Sequence, residues 1–134
     1  MRDIGLPDRW APILLSVLRV VTGLLFLQHG TQKLLGFPAA TMPPPETLTL
    51  FWFGGILELA GGFLMVIGLF TRPVAFILAG EMAVAYWMFH FPRDPFPAVN
   101  MGDAAILFCF VFLYLAAAGP GPWSLDSMGR GRRR

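Results

Sequence analysis

The residues of this chain best suited to chemistry sit where charge is costly. Glu58 and Glu81 each stand inside a long apolar run, and Arg19, His29 and Lys33 share another. His90 lies near the end of the run that holds Glu81, and Asn100 and Asp103 open the fourth run. Placing a charge at the centre of a bilayer costs roughly 2.5–3.5 kcal/mol on insertion scales. Such groups persist where they pair, face a bundle interior or line a wet cavity, and carboxylates with imidazoles at membrane depth can relay protons. Glu58 and Glu81 are therefore the candidate catalytic, proton-handling pair. Arg19, His29, Lys33, His90, Asn100 and Asp103 are the candidate ligand-binding groups. Arg19 is expected to pair with Glu58 or Glu81, either to hold charge at a site or simply to lock the bundle.

Other chemistries lack their signatures. The His, Glu and Asp residues are suitable metal-ligand types, but the Glu-x-x-His spacing of di-iron bundles is missing and no metal is expected. No Gly-rich phosphate loop, nucleophile elbow or Ser-His-Asp order occurs. A haem or flavin motif is likewise missing, including the c-type haem attachment sequence. Cys109 is the single cysteine and lies mid-run, so no intrachain disulfide can form, and an inert buried thiol is expected. Quinone is the one cofactor that the carboxylates and histidines leave in view.

The elements that must position these groups are membrane helices. Of 134 residues, 56% are hydrophobic and 13% charged, where soluble domains carry about 25% charge. Four apolar segments fall at about 11–35, 50–70, 73–91 and 100–118, each long enough to cross a hydrocarbon core of about 30 Å. The first is too long for a signal peptide and is interrupted by Arg19, so it reads as a retained helix. Proline-rich loops at 36–49 and 92–99 separate segments, Thr71-Arg72 makes a tight turn, and Gly119-Pro120 stops the last helix. The expected fold is an all-α membrane protein, a four-transmembrane-helix bundle forming one domain over 1–134, with a basic tail at 127–134.

Arg2, Arg9, Arg72 and the tail residues Arg130, Arg132, Arg133 and Arg134 fall on one side of this arrangement, against Lys33 and Arg93 on the other. The positive-inside rule then places both termini in the cytoplasm. The formal net charge of +2 comes from that tail, which reads as a topology or anionic-lipid signal rather than a nucleic-acid surface.

Helical spacing gathers the polar groups. Arg19, Gly23, Phe26, Gly30 and Lys33 share one stripe of the first helix, with His29 flanking it. Glu58 shares a face with Gly54, Gly62 and Met65, and Asn100, Asp103, Leu107, Phe110 and Tyr114 share another. The inferred product is a polar pocket open to the non-cytoplasmic side and lined by Phe26, Phe51, Phe110 and Tyr114.

The pattern R-x3-G-x2-F-x2-HG-x2-KL-x-G at Arg19–Gly36 resembles the first helix of the DoxX family of small bacterial membrane proteins. G-x2-E-x2-GG at Gly55–Gly62, IGLFTRPVA at 67–75, Asn100 to Asp103 and the closing GPGPWSLD resemble the family's later elements. The resemblance implies a multi-pass protein of the bacterial inner membrane. It also implies a link to redox chemistry through a thiosulfate:quinone oxidoreductase subunit and through oxidative-stress complexes. Where a Glu would be expected in the fourth helix, this chain has Asp103.

The leading expectation is a membrane subunit of a redox system that binds quinone or a small oxidisable substrate, with redox proteins as partners. One alternative is a non-catalytic scaffold anchoring soluble redox or stress-response enzymes. Another is a small-molecule carrier, which would need a homo-oligomer formed through the glycine-rich second helix.

Overall fold

The computed structural model describes residues 8–131; Arg2 and the arginines at 132–134 lie outside them. Every regular element is helical. The first helix, α1, spans Trp10–Leu35, and α2 spans Leu50–Ile67. The third, α3, spans Thr71–Ala85 and continues through a wider π-helical turn at Tyr86–His90. A single turn, α4, covers Pro97–Asn100, α5 spans Asp103–Ala118, and the short α6 spans Leu125–Gly131. The runs α1, α2 and Thr71–His90 are each long and apolar enough to cross a membrane. With 16 residues, α5 is shorter, about 24 Å at 1.5 Å per residue. Its apolar character is continuous, and three to four helices thus suit a membrane bundle.

The chain runs up, down, up and down, so neighbours in sequence pack antiparallel. Two intimate pairs result, α1 with α2 and α3 with α5. Glycine makes the first pair so close. A Cβ on Gly30 would strike the backbone of Leu59, and one on Gly62 would stand 2.7 Å from the backbone nitrogen of Leu27. Small residues let membrane helices approach until backbones touch. The glycines of α2 proposed above for an oligomer contact are used inside the chain: Gly55 meets Leu34, Gly61 meets Leu78, and Gly62 meets Leu27.

Between the pairs lies a core of Phe26, Met65, Leu78, Met82, Phe112 and Leu115. Phe26 packs edge-on against Phe112, with ring centroids 4.9 Å apart. Large side chains such as Leu24, Phe76, Leu107 and Phe110 point outward, as suits a surface solvated by lipid. The stripe expected to bring α5 to the pocket is therefore corrected. Asp103, Leu107, Phe110 and Tyr114 are exposed, and α5 turns Ala105, Phe112 and Leu115 inward. That helix is apolar all round, so its sequence did not mark which face is buried.

The end of the bundle where α1 begins and α5 ends is tied by polar side chains. Arg19 is fully buried. Its Nε donates to the Pro120 carbonyl at 2.8 Å and Nη1 to that of Val66 at 2.8 Å, with further bonds to the carbonyls of Met65 and Trp123. It thereby caps the C-terminus of α2, whose last carbonyls lack partners in the helix, and holds the loop after α5. Gly68 takes the left-handed conformation there, packed against the guanidinium and Ser124. Arg72 does the same for α5, donating to the carbonyls of Ala116, Ala117 and Ala118. Asp126 completes the set by accepting from the N–H groups of Phe70 and Thr71, both at 2.9 Å, which caps the start of α3.

Candidate functional site

The opposite end of the bundle holds the candidate site. Lys33 stands in the last turn of α1, because the Arg19–Gly23–Phe26–Gly30 stripe that faces α2 continues through it. The close backbone approach at Gly30 and Leu59 sets Lys33 beside Glu58. The ammonium Nζ lies 2.7 Å from Glu58 Oε1. Glu58 is 4% exposed, and its other oxygen, Oε2, is buried without a donor. On α3, Glu81 faces α2 across Gly54, where a Cβ would come within 3.2 Å of Glu81 Oε1. Glu81 Oε2 is also buried without a donor. The expected partnership of Arg19 with Glu58 or Glu81 is not made: Lys33 is the cation at this end, and Arg19 is bound to backbone carbonyls at the other.

Lys33, Glu58 and Glu81 open into a cavity of about 280 Å³ between α2 and α3. Its apolar walls include Phe51, Phe53, Leu57, Ile77 and Phe89. Phe51 and Phe89 pack at a tilt of 40°, with ring centroids 4.4 Å apart. A second cavity, of about 340 Å³, lies under the 36–49 loop and is walled by Gln32, Met42 and Pro43-Pro44-Pro45. Lys33 and Phe51 line both cavities.

The other expected site residues lie elsewhere. His29 is exposed and set edge-on to Phe108 of α5, with centroids 6.2 Å apart. His90 Nδ1 lies 3.0 Å from the Asn100 carbonyl; a carbonyl only accepts, so Nδ1 carries the proton. Asn100 is 2% exposed and organises the loop before α5. Its Nδ2 donates to the Asp94 carbonyl at 2.8 Å, and its Oδ1 accepts from the Gly102 N–H at 2.7 Å. Asp103 is exposed at the first turn of α5, where the helix dipole favours an acid. Of the expected aromatic lining only Phe51 is present, since Phe26 is core and Phe110 and Tyr114 face outward. Among the described residues, no three His, Cys, Asp or Glu side chains come together in a metal-binding group.

Chemically, the site offers two carboxylates and one ammonium in apolar surroundings. In a low-dielectric setting an uncompensated carboxylate takes up a proton or recruits a partner. The arrangement can therefore bind a small ligand and move protons at Glu58 and Glu81.

Comparison with known proteins gives a family and relatives. The family model described as DoxX matches residues 14–91. An uncharacterized protein of Haemophilus influenzae is 36% identical over 125 residues, covering 90% of this chain and 93% of the relative. The inner membrane protein YqjF of Escherichia coli K12 is 30% identical over 118 residues, covering 84% and 88%. From the same organism, inner membrane protein YphA is 28% identical over 125 residues, covering 86% and 89%. No solved structure matches the chain.

Proposed function

The chain belongs to the DoxX family, and from that premise we propose that it is a multi-pass protein of the bacterial inner membrane whose pocket between α2 and α3 binds quinone or a small oxidisable substrate. It acts as the membrane subunit of a redox system. Four spans with both termini cytoplasmic fit this reading, α5 supplying the fourth. The inner-membrane names of the two Escherichia coli relatives support the location.

One observation carries the pocket: Glu58 and Glu81, each with a buried Oε2 that lacks a donor, line the same cavity as Lys33. Buried polar atoms are normally satisfied, and ionisable groups at membrane depth mark ligand or proton pathways. The aromatic wall of Phe51, Phe53 and Phe89 suits a flat ring. Glu58 and Glu81 accept the two protons released when a quinol gives two electrons to a redox partner protein. Lys33 holds the charge of Glu58 and faces the incoming head group.

The test compares protein purified from native membranes in mild detergent with a Glu81→Gln variant. A quinone-type molecule recovered with the wild type and lost from the folded variant is the expected result. Redox proteins retained equally by both, with no small molecule on either, would replace this reading with that of an anchoring scaffold.

A further inference from the structure

We infer that the pocket between α2 and α3 is entered sideways from the bilayer, through a mouth at Gly80. Its ligand is then a lipid-dissolved amphiphile, a polar ring head on an apolar tail, rather than a water-soluble reductant. This rests on the proposed reading of the pocket as a ligand site, and it selects the lipid-soluble one of the two ligand classes named there.

The walls of the cavity fix its direction. Its carboxylates belong to Glu58, which is buried, and Glu81, which is half-buried. Phe53 and Leu57 of α2 and Ile77, Gly80 and Val84 of α3 also line the cavity, and all five are exposed on the outer surface of the bundle. Ile77, Gly80 and Val84 recur at helical spacing and so form one edge of a mouth. Gly80 leaves a gap in that edge, since a Cβ there would meet nothing within 4 Å. Towards the start of α2, the seam between the helices is closed by Phe51 and Phe89, with ring centroids 4.4 Å apart. Towards the end of α2 it is closed by Leu78, which stands 2.6 Å from where a Cβ on Gly61 would lie.

Depth makes this mouth selective. Helix α2 and the Thr71–His90 run are each long and apolar enough to cross a membrane, and Leu57 and Gly80 stand near their midpoints. In a hydrocarbon core of about 30 Å the mouth therefore faces lipid tails, about 15 Å from either surface. A charge at that depth costs roughly 2.5–3.5 kcal/mol even when a helix carries it, so a dissolved anion is kept away. A neutral lipophile is already concentrated there. Size acts in the same sense. The cavity, at about 280 Å³, lies just below the roughly 300–1,000 Å³ of pockets that enclose a drug-sized ligand. A substituted ring fits inside, and a long tail leaves through the mouth to lie along Phe53, Leu57 and Ile77.

The probes are a dimethoxy-methyl-benzoquinone bearing a decyl tail and, as the water-soluble reductant, thiosulfate. Binding to the full chain in lipid nanodiscs is measured by calorimetry, with empty nanodiscs subtracted to remove partitioning into lipid. The decylquinone should bind and thiosulfate should not. Gly80→Phe, which sets a ring in the mouth, should weaken the decylquinone about tenfold or more, as overpacking of an occupied space does. Leu107→Phe, the same ring on the exposed face of α5, should leave binding unchanged. Equal binding of the decylquinone to Gly80→Phe and wild type overturns the inference and leaves the pocket as a ligand site. Binding of thiosulfate, alone or beside the quinone, does the same. Binding of neither overturns the reading on which the inference rests as well. If Gly80→Phe does not fold, the unaltered chain decides. A diazirine on the decyl tail should label Phe53, Leu57 or Ile77, and excess unlabelled quinone should displace it; displaceable labelling of the 36–49 loop instead overturns the inference.

Discussion

Arg19 donates to the carbonyl of Pro120 at 2.8 Å, joining the middle of the first helix to the segment that follows the last long one. With Val66, Met65 and Trp123 as its other acceptors, this guanidinium is a helix cap and a loop clamp at once.

Replacing Arg19 by Met should therefore destabilise the bundle by on the order of 3 kcal/mol, since it leaves buried carbonyls unpaired. Lys should recover only part of this, because one ammonium cannot reproduce a planar fork of donors. Thermal unfolding in detergent reads the difference. A neutral Arg19→Met would show that the carbonyls find other donors.

At the far end, Lys33→Met strands Glu58 as a buried unpaired charge. Breaking a buried pair in this way costs about 3–5 kcal/mol, whereas removing both charges is far milder. The double variant Lys33→Met/Glu58→Gln should thus be more stable than Lys33→Met alone. A double-mutant cycle by chemical unfolding gives the coupling, and strict additivity would argue against a working ion pair.

Gly30→Ala should separate α1 from α2, because the new Cβ meets the Leu59 backbone, which cannot yield as a side chain can. Overpacking of this kind costs about 1–3 kcal/mol. Gly80→Ala is the control: a Cβ there meets nothing within 4 Å, and the change should be neutral or slightly stabilising. Equal unfolding temperatures for the two variants would contradict the close contact.

Acid should loosen the end of the bundle where α3 begins. Burial alone would push the Asp126 carboxyl up, but the N–H donors of Thr71 and Phe70 and the nearby Arg130 outweigh it and hold it below the usual carboxylate range. A depressed folded pKa means that the stabilisation is fully present above the unfolded value, about 3.9, and is lost as pH falls through the folded one. Asp126→Asn should be less stable than the wild type at neutral pH, and the gap should close in acid. Parallel pH–stability curves would rule out this role.

Much of the first helical pair was legible, for a physical reason. Arg19, Gly23, Phe26 and Gly30 recur at helical spacing, and a stripe of small residues beside polar ones announces a buried face. Glu58 and Glu81 stood out too, as charge inside apolar runs, but the sequence pointed to Arg19 as their cation and not to Lys33, which lies 2.7 Å from Glu58 Oε1. What was not legible was the company Arg19 keeps. Its acceptors are backbone carbonyls, which have no letter of their own, so a search among acidic side chains points to the wrong partners. The GPGPWSLD segment reads as a helix stop, yet it also supplies carbonyls to Arg19 and a carboxylate to α3. The face of α5 was hidden because apolar residues surround it on all sides, and its one acid, Asp103, belongs to the helix start rather than to the pocket.

The long reach from Arg19 to Pro120 and Trp123 has a consequence for biogenesis. Those partners are separated from Arg19 by 101 and 104 positions, so the first helix enters the membrane with its charge unanswered while nearly all of the chain is still to be made. Only when the last long helix has emerged and turned back does the guanidinium find its full set of acceptors. A chain broken off before Pro120 would leave Arg19 with the Met65 and Val66 carbonyls alone and its Nε and Nη2 without acceptors, so the clamp closes only when the segment after α5 has been made.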